Sequence, residues 1–359
     1  MELDKRNYAR HSSFFSSLKN KLHGRPFRSV HSHLSEKEDQ LLQRLESSLS
    51  VSLEGLHPSF EVELWSLQWL QKLMDAMLEA SVFLPKVLPS DVQGCLTRRD
   101  EKLLSAFLDA NAKYLDACNA VRDGMGKLEH LQMHIKSILH VLDTNKGSLS
   151  EPQLTRARKS FHECLSELRN EQSQDQISST TSLLQTISDK LVVPKNSEAS
   201  SSLQAFAMAE YMANIISVFT LGISLAAFLP CKRGNVVEIS HVSRHYAWSF
   251  ELLSLQEEVK ENAGMKKHLQ PGLLRELDVL HICLTRLSSM VDSTISARKL
   301  PLSGEQDEEF RQAVEDLRHL SHDLEQGLQR MDHTISELFR QLIISRNAVL
   351  DLLSLAMGY

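Results

Sequence analysis

The residues in this chain best suited to chemistry are histidines at helical spacing. His130 and His134 are one helical turn apart, as are His241 and His245, and His319 and His322 stand three apart, so each pair sets two imidazoles on one helix face. Paired imidazoles are half of a zinc site. None of the pairs has the H-E-x-x-H form, and the third and fourth ligands that zinc needs come from elements whose adjacency a sequence does not reveal. With sixteen histidines present, chance pairs are expected. The reading is therefore no metal and no cofactor.

Nucleophilic and phosphate chemistry fare no better. The chain has no Gly-rich phosphate loop and no G-x-S-x-G, and Gly124-Met125-Gly126 falls inside a helical stripe. Asp116 and Asp123 lie beside that stripe, where a buried carboxyl acts as acid or base, although such residues are usually solvated or paired. No catalytic residue is assigned, and the chain is read as not an enzyme; a helical enzyme with an unrecognised site stays as an alternative.

A different chemistry marks the first 34 residues. Lys5, Arg6, Arg10, Lys19, Lys21, Arg25 and Arg28 stand against only Glu2 and Asp4, a net +5, with Tyr8, Phe14, Phe15 and Phe27 between them. Ser12 and Ser13 lie two and three residues after Arg10, and Ser29 directly follows Arg28, which suits basophilic kinases; a phosphate there would neutralise part of the arm and create an acceptor for Arg-lined phospho-reader partners. The same arm suits an anionic membrane surface, at about 1 kcal/mol per cation. A disordered, solvated arm is the simplest state for it.

The whole molecule carries a net charge of −6, which gives no drive toward a phosphate backbone, so no nucleic-acid partner is expected. Cys95, Cys118, Cys164, Cys231 and Cys283 are scattered without a C-x-x-C pair and read as buried thiols of a reducing compartment. Residues 1–30 lack the apolar stretch of a secretory signal, so a cytoplasmic, membrane-peripheral location is expected.

Leu-rich, aromatic-poor composition predicts an all-α, elongated multi-helix bundle with long antiparallel helices. Ser35-Glu36-Lys37-Glu38 has capping-box form and opens a first helix through Leu41, Leu42, Leu45 and Leu49. Val62 to Met77 continue with helical spacing, ended by Pro85 and Pro89. Arg98 to Leu142 predicts a helix of some forty residues with Gly124 and Gly126 as a kink or close contact. Ser150-Glu151-Pro152-Gln153 caps a fourth helix. Domain boundaries follow: the arm 1–34, an N-terminal helical half 35–171, a polar linker with a short helix 172–202, an apolar helix 203–230, and a C-terminal helical half 231–359. Val242 to Val259 and Leu273 to Ile295 show two further stripes. In the last helix, from Glu305, apolar positions step by threes and fours from Phe310 to Val349 with Ser321 and Ser345 as weak points. This near-heptad seam runs ~70 Å. It fits an intramolecular bundle seam better than a coiled coil with another chain.

Tyr211 to Leu229 holds nineteen residues without a charge, closed by Pro230, Lys232 and Arg233. That is just long enough to cross about 30 Å of hydrocarbon. Two readings stand: a buried or membrane-dipping helix, and a single-pass span at 211–229. A span would put the helices before and after it on opposite sides, unable to share a core.

Leu64-Trp65-Ser66-Leu67-Gln68-Trp69-Leu70, then Tyr114 to Gly124 with Asp116, Cys118, Asn119, Arg122, Asp123 and Gly124, then Trp248-Ser249-Phe250 and Ser345 to Asp351 follow one another in an order that resembles the plant BYPASS/ROH family. The L-D-x-C-N-A-x-R-D-G stretch is its most specific part. The resemblance implies a helical plant protein without known catalysis, in a family linked to growth control through a root-derived mobile signal and to exocyst-type secretion partners. The expected function is thus an adaptor acting through protein contacts.

Overall fold

The computed structural model describes residues 34–58, 63–89, 96–142, 150–168, 174–194, 200, 203–228, 237–239, 242–243, 246–265, 273–297 and 304–356. By its contacts the chain divides into Met1–Ser35 and Glu36–Tyr359, and the architecture below is that of the second unit. Its described helices are α1 Glu36–Glu54, α2 Leu67–Val87, α3 Arg98–Val141, α4 Glu151–Leu168, α5 Gln174–Ser188, α6 Gln204–Phe228, α7 Ala247–Met265, α8 Arg275–Ala297 and α9 Gly304–Ala356. The fold is an all-α multi-helix bundle, with no strand among the described residues.

The long helices start where local chemistry predicts. Thr97 caps α3 with a full capping box: its hydroxyl accepts from the Asp100 amide, and the Asp100 carboxylate accepts from the Thr97 amide. At α4 the Gln153 side chain accepts from the Ser150 amide at 3.0 Å. Gly124 is buried in α3, but a Cβ on Gly126 would meet nothing within 4 Å, so the expected close contact is absent at the second glycine.

α9 packs on α2, α3 and α8. It runs antiparallel to α3, since Leu108, Asn111, Arg122 and Gln132 meet Arg346, Leu342, Ser336 and Ser321 in reverse order. It runs parallel to α2, where Leu67 and Ser81 meet Gly327 and Ser345. Its seam is intramolecular: Phe310, Val314, Leu317, Leu324, Leu328, Met331, Ile335, Leu338, Leu342 and Val349 are all buried. Of the two serines interrupting that seam, Ser321 accepts from Gln132 Nε2 through its backbone carbonyl, while Ser345 donates its hydroxyl to the Ser81 carbonyl.

That last contact explains a departure from expectation. Pro85 does not end α2 but sits inside its last turn. Lacking an N–H, it leaves the carbonyl four residues back, that of Ser81, without its helical donor, and Ser345 supplies one at 3.4 Å. A tertiary contact thus replaces the missing backbone bond. α5, Gln174–Ser188, lies in the stretch 172–202 expected as a polar linker with a short helix, and it packs on α6 and α3.

α6 is long and apolar enough to cross a membrane, yet every residue in it except Asn214 is buried. It is enclosed by α1, α2, α3 and α5. Helices that precede it and helices that follow it share one core, through α9 against α2 and α3 and α7 against α1. That is the arrangement of a buried helix rather than of a span. It is closely packed at Gly222, where an added Cβ would lie 2.8 Å from Val237 side-chain atoms.

Candidate functional site

Residues 1–33, with Ser12, Ser13, Ser29 and the seven arm cations, lie outside the described residues, as do Val62, Cys95, Cys231, His241 and His245. The family-like stretch lies wholly within α3, and burial divides it in two.

Tyr114, Ala117, Cys118, Val121 and Gly124 are buried and fix the register of α3 in the bundle. Burial pushes the Cys118 thiol up to about 12, and the Cys164 and Cys283 thiols up to about 12 and about 11, so none of the three is a reactive thiolate near neutral pH. Arg122 bridges to α9, donating to Ser336 Oγ at 3.0 Å with Asp332 at 3.3 Å. Asp116, Asn119 and Asp123 are exposed and hydrogen-bond nothing among the described residues. Their i, i+3, i+7 spacing lines them along one outward stripe. The two aspartates are not the buried acids or bases that their place beside the apolar stripe suggested.

Behind this stretch lies a polar chain within the core. Tyr114 donates to Asn214 Oδ1 at 3.0 Å, and Asn214 Nδ2 donates to Glu210 Oε1 at 3.4 Å. Burial raises the Glu210 carboxyl to about 8, against a weaker lowering by Asn214. Burial and the Glu210 charge also push the Tyr114 phenol well up. The group is therefore neutral and hydrogen-bonded near neutral pH, which suits a core position.

Among the described residues, two clusters join histidine to carboxylates of another helix, while His319 pairs with Glu315 on its own helix. His57 sits between Glu258 and Glu251, its Nδ1 3.0 Å from one and its Nε2 3.1 Å from the other. Burial alone would lower its pKa, but the two carboxylates outweigh that and raise it to about 9. It is a charged clamp between the end of α1 and α7. The other cluster joins His130 and His134 of α3 to Glu167 of α4 at the bundle surface. Sequence spacing gave the two histidines, while Glu167 was invisible because only the pairing of α3 with α4 brings it there.

The turn before α2 and the start of that helix hold another family-like stretch. Trp65 is fully buried with φ at 65°, a left-handed conformation that costs a non-glycine residue about 1–3 kcal/mol. The cost is met locally: the Trp65 carbonyl accepts from the Arg275 amide, Glu276 accepts from the Leu67 amide, and Trp69 Nε1 donates to the Leu56 carbonyl. Glu63 pairs with Arg275 beside it. The W-S-L-Q-W run thus locks α1, α2 and α8 together, and its role is structural.

A family model described as Protein ROH1-like matches residues 6–183 and 176–353. The chain is 24% identical over 363 residues to "Protein ROH1D" of Arabidopsis thaliana, covering 89% of each. It is 27% identical over 278 residues to "UPF0496 protein 4" of Oryza sativa subsp. japonica, covering 76% of this chain and 59% of that protein. It is 24% identical over 263 residues to "Protein BPS1, chloroplastic" of Arabidopsis thaliana, covering 72% of each. No solved structure matches. Matched by that model along nearly its whole length, the chain belongs to the ROH1-like family of plant proteins, the BYPASS/ROH group that its own motifs resemble.

Proposed function

We propose that this chain is a non-enzymatic plant adaptor of growth and development, or of exocyst-linked secretion, that works by presenting the outer stripe of α3 to other proteins. One observation carries the reading. The most family-specific stretch contains three polar residues, Asp116, Asn119 and Asp123, that contribute nothing to packing and bond to nothing among the described residues. Side chains without a structural task, held in register by a buried other half, suit recognition. The basic arm complements the stripe: Lys5 through Arg28, with phosphate added at Ser12, Ser13 or Ser29, serves phospho-reader or membrane-surface contacts from the cytoplasm. The non-catalytic half of the proposal is supported by Asp116 and Asp123, which are exposed, and by Glu210, which is uncharged and hydrogen-bonded in the core.

The test is an Asp116→Lys, Asn119→Ala, Asp123→Lys variant of the full chain expressed in plant cells with a proximity-labelling tag. Its unfolding free energy should stay within about 1 kcal/mol of the unaltered chain, because exposed substitutions away from bonded features cost little. The labelled partner set should lose its main members. An unchanged partner set in a folded variant would overturn the proposal.

A further inference from the structure

We infer that His130, His134 and Glu167 form a binding site for a divalent transition-metal ion of the zinc class, held between α3 and α4. The histidines share one face of α3, with ring centroids 4.8 Å apart and planes at 78°. Glu167 reaches them from α4 with both oxygens: Oε1 lies 2.7 Å from His130 Nδ1, and Oε2 lies 3.3 Å from His134 Nε2. One ligand atom from each residue can be chosen so that all lie within 4.8 Å of one another.

A tetrahedral ion with bonds of about 2.0–2.1 Å sets its ligand atoms about 3.3 Å apart. The three side chains therefore need only small torsional shifts to close on one ion, and their exposures of 57%, 33% and 33% leave them free to make those shifts. The fourth position opens to water. Two imidazoles and one carboxylate favour zinc and the neighbouring cobalt, nickel and copper ions over calcium or magnesium, which take an all-oxygen shell.

The contrast with His57 sharpens the assignment. There the two ring nitrogens point to two separate carboxylates on opposite sides of the imidazole, so the donors never converge on one point. Around Glu167 they do. Neighbouring Cys164 is fully buried and supplies no sulfur ligand. At 100° per residue His130 and His134 also continue the outward stripe of Asp116, Asn119 and Asp123, about 10 Å further along α3. An ion here would fasten the end of α4 to that stripe.

The measurement is calorimetric titration of the full chain with zinc chloride at pH 7.5, beside His130→Gln and Glu167→Gln variants, with thermal unfolding of all three in EDTA and in zinc. The EDTA melts should coincide within a few degrees, since the altered side chains are at the surface. The unaltered chain should bind one more zinc equivalent than either variant, or bind its tightest equivalent at least ~10-fold more strongly. Zinc should raise its unfolding midpoint and leave those of the variants where EDTA had them. Superimposable isotherms and equal zinc-induced shifts in all three proteins would overturn the site, and would trace the binding to other histidines.

Discussion

Glu210 is the only ionisable carboxyl on α6, and its surroundings determine when it is charged. Its pKa rises on folding from 4.5 to about 8, so the folded chain holds a proton that the unfolded chain has released. The contribution to stability is complete below pH 4.5, declines as pH rises between the two values, and is gone above about 8. Glu210→Gln keeps the shape and removes the titration. We expect the variant to match the native chain near pH 5 and to exceed it by a few kcal/mol at pH 8.5 in urea unfolding; parallel stability curves for the two proteins would refute this. The sequence showed a lone acid at the edge of an apolar run, but its pKa was illegible because it depends on enclosure by α3 and its neighbours. The same holds for Glu167. The i, i+4 spacing of His130 and His134 is local and readable, while a carboxylate 33 residues beyond His134 joins them only through tertiary pairing.

Among elements, the glycines show where sequence and structure part. Gly126 and Gly222 both interrupt helical stripes and look alike in sequence. In the structure an added methyl at Gly126 meets open space, whereas at Gly222 it meets the stiff, β-branched Val237 at 2.8 Å. Gly126→Ala should therefore stabilise the chain by about 0.5–1 kcal/mol, as helix propensity and backbone entropy predict. Gly222→Ala should destabilise it by about 1–3 kcal/mol through overpacking, less what propensity returns. Opposite shifts of the urea midpoints are the expected outcome, and shifts of the same sign would show that Val237 moves aside. Where capping and 3.6-residue periodicity agree, helix extent was legible: α3 was expected over Arg98–Leu142 and runs Arg98–Val141. The stripe read from Val62 and Trp65 is, among the described residues, helix only from Leu67, with Trp65 in a turn at positive φ. Pro85 was misread as a terminator because the hydroxyl that compensates for it lies on α9. A short helix was legible within 172–202 from Leu183, Leu184 and Ile187, but not its start at Gln174, since its first residues lack an apolar stripe.

At the scale of the molecule, the C-terminal helix completes the fold. α9 covers α2, α3 and α8 together, and its partners on α2 are more than 250 residues away in sequence. Removing 304–356 should therefore not trim the bundle but open it: the truncated chain is expected in the insoluble fraction, and a soluble product with a cooperative thermal melt would contradict this. The all-α class and the intramolecular seam were readable from composition and spacing. The enclosure of α6 was not, because hydropathy assigns the same profile to a core helix and to a membrane span.

The order of helices along the chain bears on how the protein is made. α6 leaves the ribosome 128 residues before the end of α9, which at about 5–20 residues per second is a delay of roughly ten seconds. During that interval α6, whose length and hydropathy would suit a span, already has α1, α2, α3 and α5 made and able to enclose it, while α9, which packs on α2 and α3, is still to come. The order of synthesis thus places the shelter of the apolar helix ahead of it, and the late arrival of α9 fastens two walls of that shelter, α2 and α3, rather than α6 itself.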